Sequence, residues 1–242
     1  MQKFTVTLRA AAVAFAVFHL LGASGCDRNP VEPIGSMETA SDEANIQTAP
    51  ADRADTQPNG KAPVGVAAVT IPVAFASQNN PAWKCDQLGT CSATTMGTCT
   101  GKTPAGCAVT SIWMLANINR SLVQTPGNFN QWLKNNGGYS SGCLVIWSRA
   151  ADWDGSAGLI WVGTDAINST SQLKALIDQG RRMVAGSTRF ASHWVALTGY
   201  TGNGTTWSDF TYFDPWDTSA TVHRLGDGRV GQGRSLRVYR AG

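Results

Sequence analysis

The chain has 242 residues, 43% of them apolar and 14% charged, with a formal charge of +3. No basic patch with interleaved aromatics occurs, which argues against a nucleic-acid partner. The charge itself falls to +1 once a leader carrying Lys3 and Arg9 is discounted, and no internal repeat is visible.

That leader is the first element. Lys3 and Arg9 form a positive start, Ala10 to Leu21 is almost wholly apolar, and Ala23-Ser24-Gly25 precede Cys26. This reads as an export signal over residues 1–25, its apolar run short of the roughly 20 residues that a spanning helix needs. Ala23-Ser24-Gly25-Cys26 resembles a bacterial lipobox, which implies cleavage before Cys26, its lipidation and a membrane-anchored cell-envelope protein. Ala23 replaces the usual leucine there, so cleavage without lipid stays open. Asp27 resembles an inner-membrane retention signal. Residues 26–70 lack aromatics and are rich in Ala, Pro, Thr, Asp and Glu, and read as a flexible tether. Residues 71–242 hold all nine tryptophans and suffice for one core.

Within that region the spacing predicts a first helix over Cys107–Ile118, with Val109, Ile112, Leu115 and Ala116 on one face. Thr125-Pro126 is an N-cap followed by proline at the first helical position. The helix it opens is expected to bury Phe129, Trp132 and Leu133 and to stop at Gly137-Gly138. A third helix begins near Thr170, shows Leu173, Leu176 and Ile177 on one face, and ends at Gly180. Strands are expected at 182–186, 193–200, 210–213 and 236–239. Helices first and strands afterwards predict an α+β fold, a helical lobe beside an antiparallel sheet lobe with a cleft between them.

The chemistry centres on Gly106-Cys107-Ala108-Val109-Thr110-Ser111, a thiol placed where a loop becomes a helix. The N–H groups and partial positive charge of a helix start favour the thiolate, the nucleophilic form. A buried structural cysteine, or half of a disulfide, is the alternative. The chain has six cysteines. If Cys26 carries lipid, an odd set remains, and in an oxidising compartment that parity leaves a free thiol. His19 lies in the leader, so only His193 and His223 are available to assist. His193 opens a strand, and the next aromatic strand ends in Asp214-Pro215-Trp216, an acid placed to accept an imidazole N–H. Separately, His193 also reads as a buried strand histidine and Asp214 as an Asx turn former. His223 shows no acid so placed and ranks below His193.

Three motifs carry a family resemblance: Gly106-Cys107-Ala-Val-Thr-Ser, His193-Trp-Val-Ala-Leu-Thr-Gly-Tyr200 and Tyr212-Phe-Asp214-Pro215. Ser77-Gln78-Asn-Asn-Pro-Ala-Trp83 and Thr125-Pro126-Gly-Asn-Phe-Asn-Gln-Trp-Leu133 support them. Together they resemble the C39-like branch of the papain-like cysteine peptidases. The resemblance implies a papain-like fold, Cys107 as nucleophile, His193 as general base, Asp214 as orienting residue and Gln78 in the oxyanion hole. Acyl transfer by this set of residues needs no cofactor, its substrate is expected to be a peptide or a peptidoglycan peptide, and the chain is expected to be a monomer. A silent binding module of the same fold, and a secreted toxin or effector, are the other readings. Cys85, Cys91, Cys99 and Cys143 then form disulfides. Cys99–Cys143 is the expected bridge, placed as one that pins the nucleophile helix in papain-like enzymes, with Cys85–Cys91 as a local staple.

Three further features read as structural. The tryptophans, Trp194 and Trp216 beside the base and acid included, read chiefly as core, with a cleft wall as the alternative. Gly226-Asp-Gly-Arg-Val-Gly231 matches GxGxxG but reads as a hairpin loop. Cys85, Cys91, Cys99 and Cys107 lack a CxxC pair, which sets zinc aside.

Overall fold

The computed structural model describes residues 68–116, 124–153, 158–189 and 193–242. The leader, Cys26, Asp27 and nearly all of the tether lie outside the described residues, as does the expected end of the first helix at Ile118. The described chain starts with β1 (Val69–Thr70), β2 (Thr94–Thr95) and β3 (Thr103–Pro104), then α1 (Cys107–Ala116), α2 (Pro126–Asn135) and α3 (Trp147–Ala151). There follow β4 (Leu159–Ala166), α4 (Thr170–Asp178), β5 (Arg181–Ser187), β6 (His193–Tyr200), β7 (Phe210–Phe213), β8 (Val222–Arg224) and β9 (Ser235–Ala241).

The fold is α+β. Seven strands form one antiparallel sheet in the order β4-β9-β5-β6-β7-β8, with β1 also paired to β6. Val69 and Thr70 therefore belong to the sheet, opposite Tyr200 and Gly199, although they fall in the stretch read as tether. β6 is buried along its whole length, because it is covered on both faces. Trp194 and Ala196 pack with α1 and α2, while Val195 and Leu197 pack with Leu173 and Ile177 of α4. This corrects the expectation that the helices gather in one lobe: α4 lies across the sheet from α1.

Local chemistry explains the elements. Thr125 accepts from Asn128 N and Asn128 Oδ1 accepts from Thr125 N, so a reciprocal cap opens α2. Ser169 Oγ likewise caps α4 through Gln172 N. The backbone carbonyl of Leu115 in α1 accepts from the buried Arg182 at 3.2 Å, which ties the helix to β5. Six elements, β1, β2, β3, α3, β4 and β8, escape the sequence pattern, and two of them show why. α3 has one and a half turns and no side-chain cap, and β4 is broken by an irregularity between Trp161 and Gly163 and leaves Ile160 and Val162 exposed.

The disulfides are Cys85–Cys99 and Cys91–Cys143, in place of the expected Cys99–Cys143 and Cys85–Cys91. The cause is backbone pairing. Met96 N donates to Asp86 O and Gly97 N to Lys84 O, which lays Cys99 beside Cys85. Gly89, meanwhile, brings the next turn against Cys143, so closely that a Cβ there would lie 3.1 Å from its sulfur. These bridges consume three of the four cysteines weighed as zinc ligands. The Gly226–Gly231 segment follows edge strand β8 and leads to β9, which pairs with β4 and β5. It is a crossover connection and not a hairpin.

Candidate active site

Cys107 is the first residue of α1 and is fully buried. Its position is set by a tight loop behind it. Gly106 N donates to Met96 O at 3.0 Å, and a Cβ at Gly106 would sit 2.4 Å from that oxygen, so only glycine permits the approach. Thr110 N donates to Gly106 O, which starts the helix at the cysteine. The thiol thus stands in the first turn, where backbone N–H groups have no intrahelical acceptor and favour negative charge.

α1 lies on β6, and Ser111 Oγ donates to Trp194 O at 3.0 Å. Ser111 is one helical turn beyond Cys107, and Trp194 follows His193. That single bond fixes the register of the nucleophile helix against the strand carrying the imidazole. His193 Nε2 lies 2.6 Å from Asp214 Oδ1, both side chains buried. Asp214 comes directly after β7, the neighbour of β6, as its sequence position suggested. The same Oδ1 accepts from Trp216 N at 2.8 Å, so the Asx turn and the histidine partnership weighed as alternatives are both present.

Burial, the largest influence on the Asp214 carboxyl, opposes its ionisation. The hydrogen bond and charge of His193, the Trp216 N–H and Arg189 overrule it, and the pKa falls from 3.8 to about 2. An ionised carboxylate can only accept, so Nε2 of the neutral ring carries the proton and Nδ1 keeps the lone pair.

Gln78 is buried and meets the same loop. Its Nε2 donates to Met96 O at 3.2 Å, the carbonyl that also accepts from Gly106 N. Gln78 N donates to Pro215 O at 2.7 Å and Asn79 Nδ2 to Trp216 O at 3.1 Å. The Ser77–Asn79 segment therefore ties the loop before the cysteine to the turn after the acid. Trp216 stands edge-on to the His193 ring at 6.5 Å. Trp194 packs on Trp147, with the Arg237 guanidinium over both rings.

His223 departs from expectation. It has an acid, Asp217, 2.5 Å from Nε2, and stacks on Tyr212. Asp217 in turn is reached by Arg189, which also binds Asp214 Oδ2 at 2.6 Å. Neither Asp217 nor Arg189 was picked out from the sequence. Asp217 had a signal, since Asp214-Pro-Trp-Asp217 is a four-residue turn that brings its end residues together. Arg189 had none.

A search among curated proteins finds no match. The model of the Peptidase_C39 like family matches residues 70–229, a span that takes in Gln78, Cys107, His193 and Asp214. That match covers well over half of the chain, and the chain belongs to the Peptidase_C39 like family.

Proposed function

We propose that the domain is an exported thiol hydrolase that cleaves amide bonds through a thioester on Cys107. The observation that carries this reading is the seating of the helix that begins with Cys107 on the strand that begins with His193, with Asp214 held to His193 Nε2. With Nε2 committed to Asp214, Nδ1 is the nitrogen that takes the thiol proton. The Cys107 thiolate attacks the amide carbonyl, and the oxyanion is stabilised by the Cys107 N–H. Gln78 is suited to add a second donor: its Nε2 carries two hydrogens, and Met96 O accepts one. The imidazolium then gives its proton to the leaving amine. His193 next draws a proton from water, which attacks the thioester, releases the acid and restores the thiol.

Two disulfides suit an oxidising compartment, and with the leader they favour export, with lipid on Cys26 as the anchor. The substrate class is a peptide bond, in a polypeptide or in a peptidoglycan cross-link. Incubating the purified chain and its Cys107→Ala variant with peptide libraries and with purified sacculi tests both. Cleavage that requires Cys107 is expected. A Cys107→Ala protein as active as the parent ends this reading, and a thiol inert to electrophiles at neutral pH returns the domain to a silent binding module.

A further inference from the structure

We infer that Arg189 is a positioning residue for this site: its guanidinium holds the second oxygen of Asp214 and so fixes the carboxylate that orients His193. The inference rests on the proposed roles of Cys107, His193 and Asp214 and extends them to a group with no direct part in the reaction.

An aspartate side chain turns readily about its last bond, whose rotamer wells are broad. One hydrogen-bonded oxygen leaves that rotation loosely set. In Asp214, Oδ1 faces His193 Nε2 at 2.6 Å and Trp216 N at 2.8 Å, while Oδ2 receives Arg189 Nη1 at 2.6 Å. Both oxygens are held, from different sides and by different elements. Arg189 follows β5, whose Ser187 is the register partner of His193, and its backbone is pinned by Arg189 N donating to Ser187 Oγ at 3.2 Å. The clamp therefore grows from the strand next to the base.

The guanidinium is itself held. Its Nη1 also reaches Asp217 Oδ1 at 3.4 Å, and Asp217 N donates to Asp214 O at 3.1 Å. One cation thus spans the two acids of the Asp214–Asp217 turn. Behind it His223 Nε2 meets Asp217 Oδ2 at 2.5 Å, and the His223 ring lies 5.2 Å from that of Tyr212, two residues before Asp214. A single nitrogen, Nη1, meets both acids, so a lysine ammonium can replace part of the seat.

Positioning and charge make opposite predictions. Deleting a cation beside Asp214 should, by charge alone, favour the imidazolium and with it the thiolate. Loss of positioning should weaken the imidazolium and move thiolate formation toward the pH of an ordinary thiol.

The probe is iodoacetamide, which needs no known substrate. Its rate of reaction with Cys107 of the full chain is followed by mass spectrometry from acid to alkaline pH. Arg189→Met should lower the neutral-pH rate about tenfold and shift the profile upward in pH, with Arg189→Lys recovering part of the loss. In an Asp214→Asn background the same Arg189 change should have no further effect, since there is no carboxylate to hold. Equal rates in parent and Arg189→Met, or an equal loss in the Asp214→Asn background, overturns the inference and leaves the thiol hydrolase reading standing. A parent thiol no faster than a free cysteine overturns both. If Arg189→Met fails to fold, the Arg189→Lys and Asp214→Asn cycle carries the same test, with a loss of about threefold expected only where Asp214 is present.

Discussion

His193 and Asp214 lie 2.6 Å apart with side chains 0% and 1% exposed, whereas His223 and Asp217 lie 2.5 Å apart with 21% and 18% exposed. The bond lengths do not separate them. Position in the sheet does. His193 sits on β6, covered on both faces and pressed by α1, while His223 sits on β8 at the sheet edge, against Tyr212. The buried pair is shielded from bulk solvent, so its energetics are set by fixed neighbours. The edge pair is screened and supports the turn that carries the other acid. A short histidine–aspartate distance therefore marks a hydrogen bond and no more. What makes one pair a candidate for catalysis is the thiol-bearing helix seated on its strand.

The largest test of that contrast is deletion. Cys107→Ala and His193→Ala should each lower hydrolysis by on the order of 10⁴-fold or more, measured as kcat/KM on a substrate identified with the parent protein. An equal loss from His223→Ala would mean that the edge pair, and not the buried one, serves the thiol. Asp214→Asn should cost less, on the order of 10²- to 10⁴-fold, because an amide in place of the carboxylate no longer enforces the Nε2–H tautomer. If Asp214→Asn were as active as the parent, the dyad would be structural.

The buried acid also leaves a mark on folding stability. The Asp214 pKa is lowered by folding, from 3.8 to about 2. The folded state therefore binds fewer protons than the unfolded chain, and the stabilisation is present above about pH 4 and lost as pH falls through about 2. Its size is about 2 kcal/mol. Urea unfolding at neutral and acid pH should show that loss in the parent and a smaller one in Asp214→Asn. A parent and variant with parallel pH profiles would show that the buried carboxylate is not held as its neighbours imply.

The disulfides act on a different region, the loops before α1 and after α2. On the chain-entropy model the Cys91–Cys143 bridge, which closes 52 residues, contributes about 4 kcal/mol, and the 14-residue Cys85–Cys99 loop about 3 kcal/mol. Neither bridge includes Cys107. Mild reductant should keep the thiol reactive, and strong reduction should lower the melting temperature. Peptide mapping without reductant checks the pairing, and a bridge that contains Cys107 in active protein would contradict the assignment.

These contrasts also show what a sequence can disclose. β6 and β7 have the bounds expected from His193–Tyr200 and Phe210–Phe213, because their signals are local: aromatic and β-branched runs closed by glycine or proline. The cap at Thr125 is local too. The cysteine, histidine and acid could be picked out since each stands at an element boundary. The disulfide pairing could not, since it follows from hydrogen bonds between residues 84–86 and 96–97 that no spacing rule encodes. The partner of His223 was missed for a related reason. Asp217 faces it only because the Asp214–Asp217 turn folds back and β8 pairs with β7. β4 was missed because its pattern is broken at Gly163 and its outer residues are exposed, which blurs the strand alternation.

The smallest expected effect is the most discriminating. His223→Asn removes the imidazole behind Asp217 and leaves Asp214, Arg189 and Cys107 in place. Since His223 is partly exposed, its contact with Asp217 is screened by solvent and worth no more than about 1 kcal/mol. Its route to the thiol runs through Asp217 and then Arg189, whose Nη1 lies 3.4 Å from Asp217 but 2.6 Å from Asp214. The nearer acid holds the guanidinium more tightly, so loosening the farther one should change kcat/KM by no more than about twofold. Asp217→Asn, one step closer, should cost somewhat more. A rate that falls in the order His223, Asp217, Arg189, Asp214 and His193 would trace support passing inward from the sheet edge to the buried base. A larger loss at His223 than at Arg189 would reverse that order and assign the edge histidine a direct part.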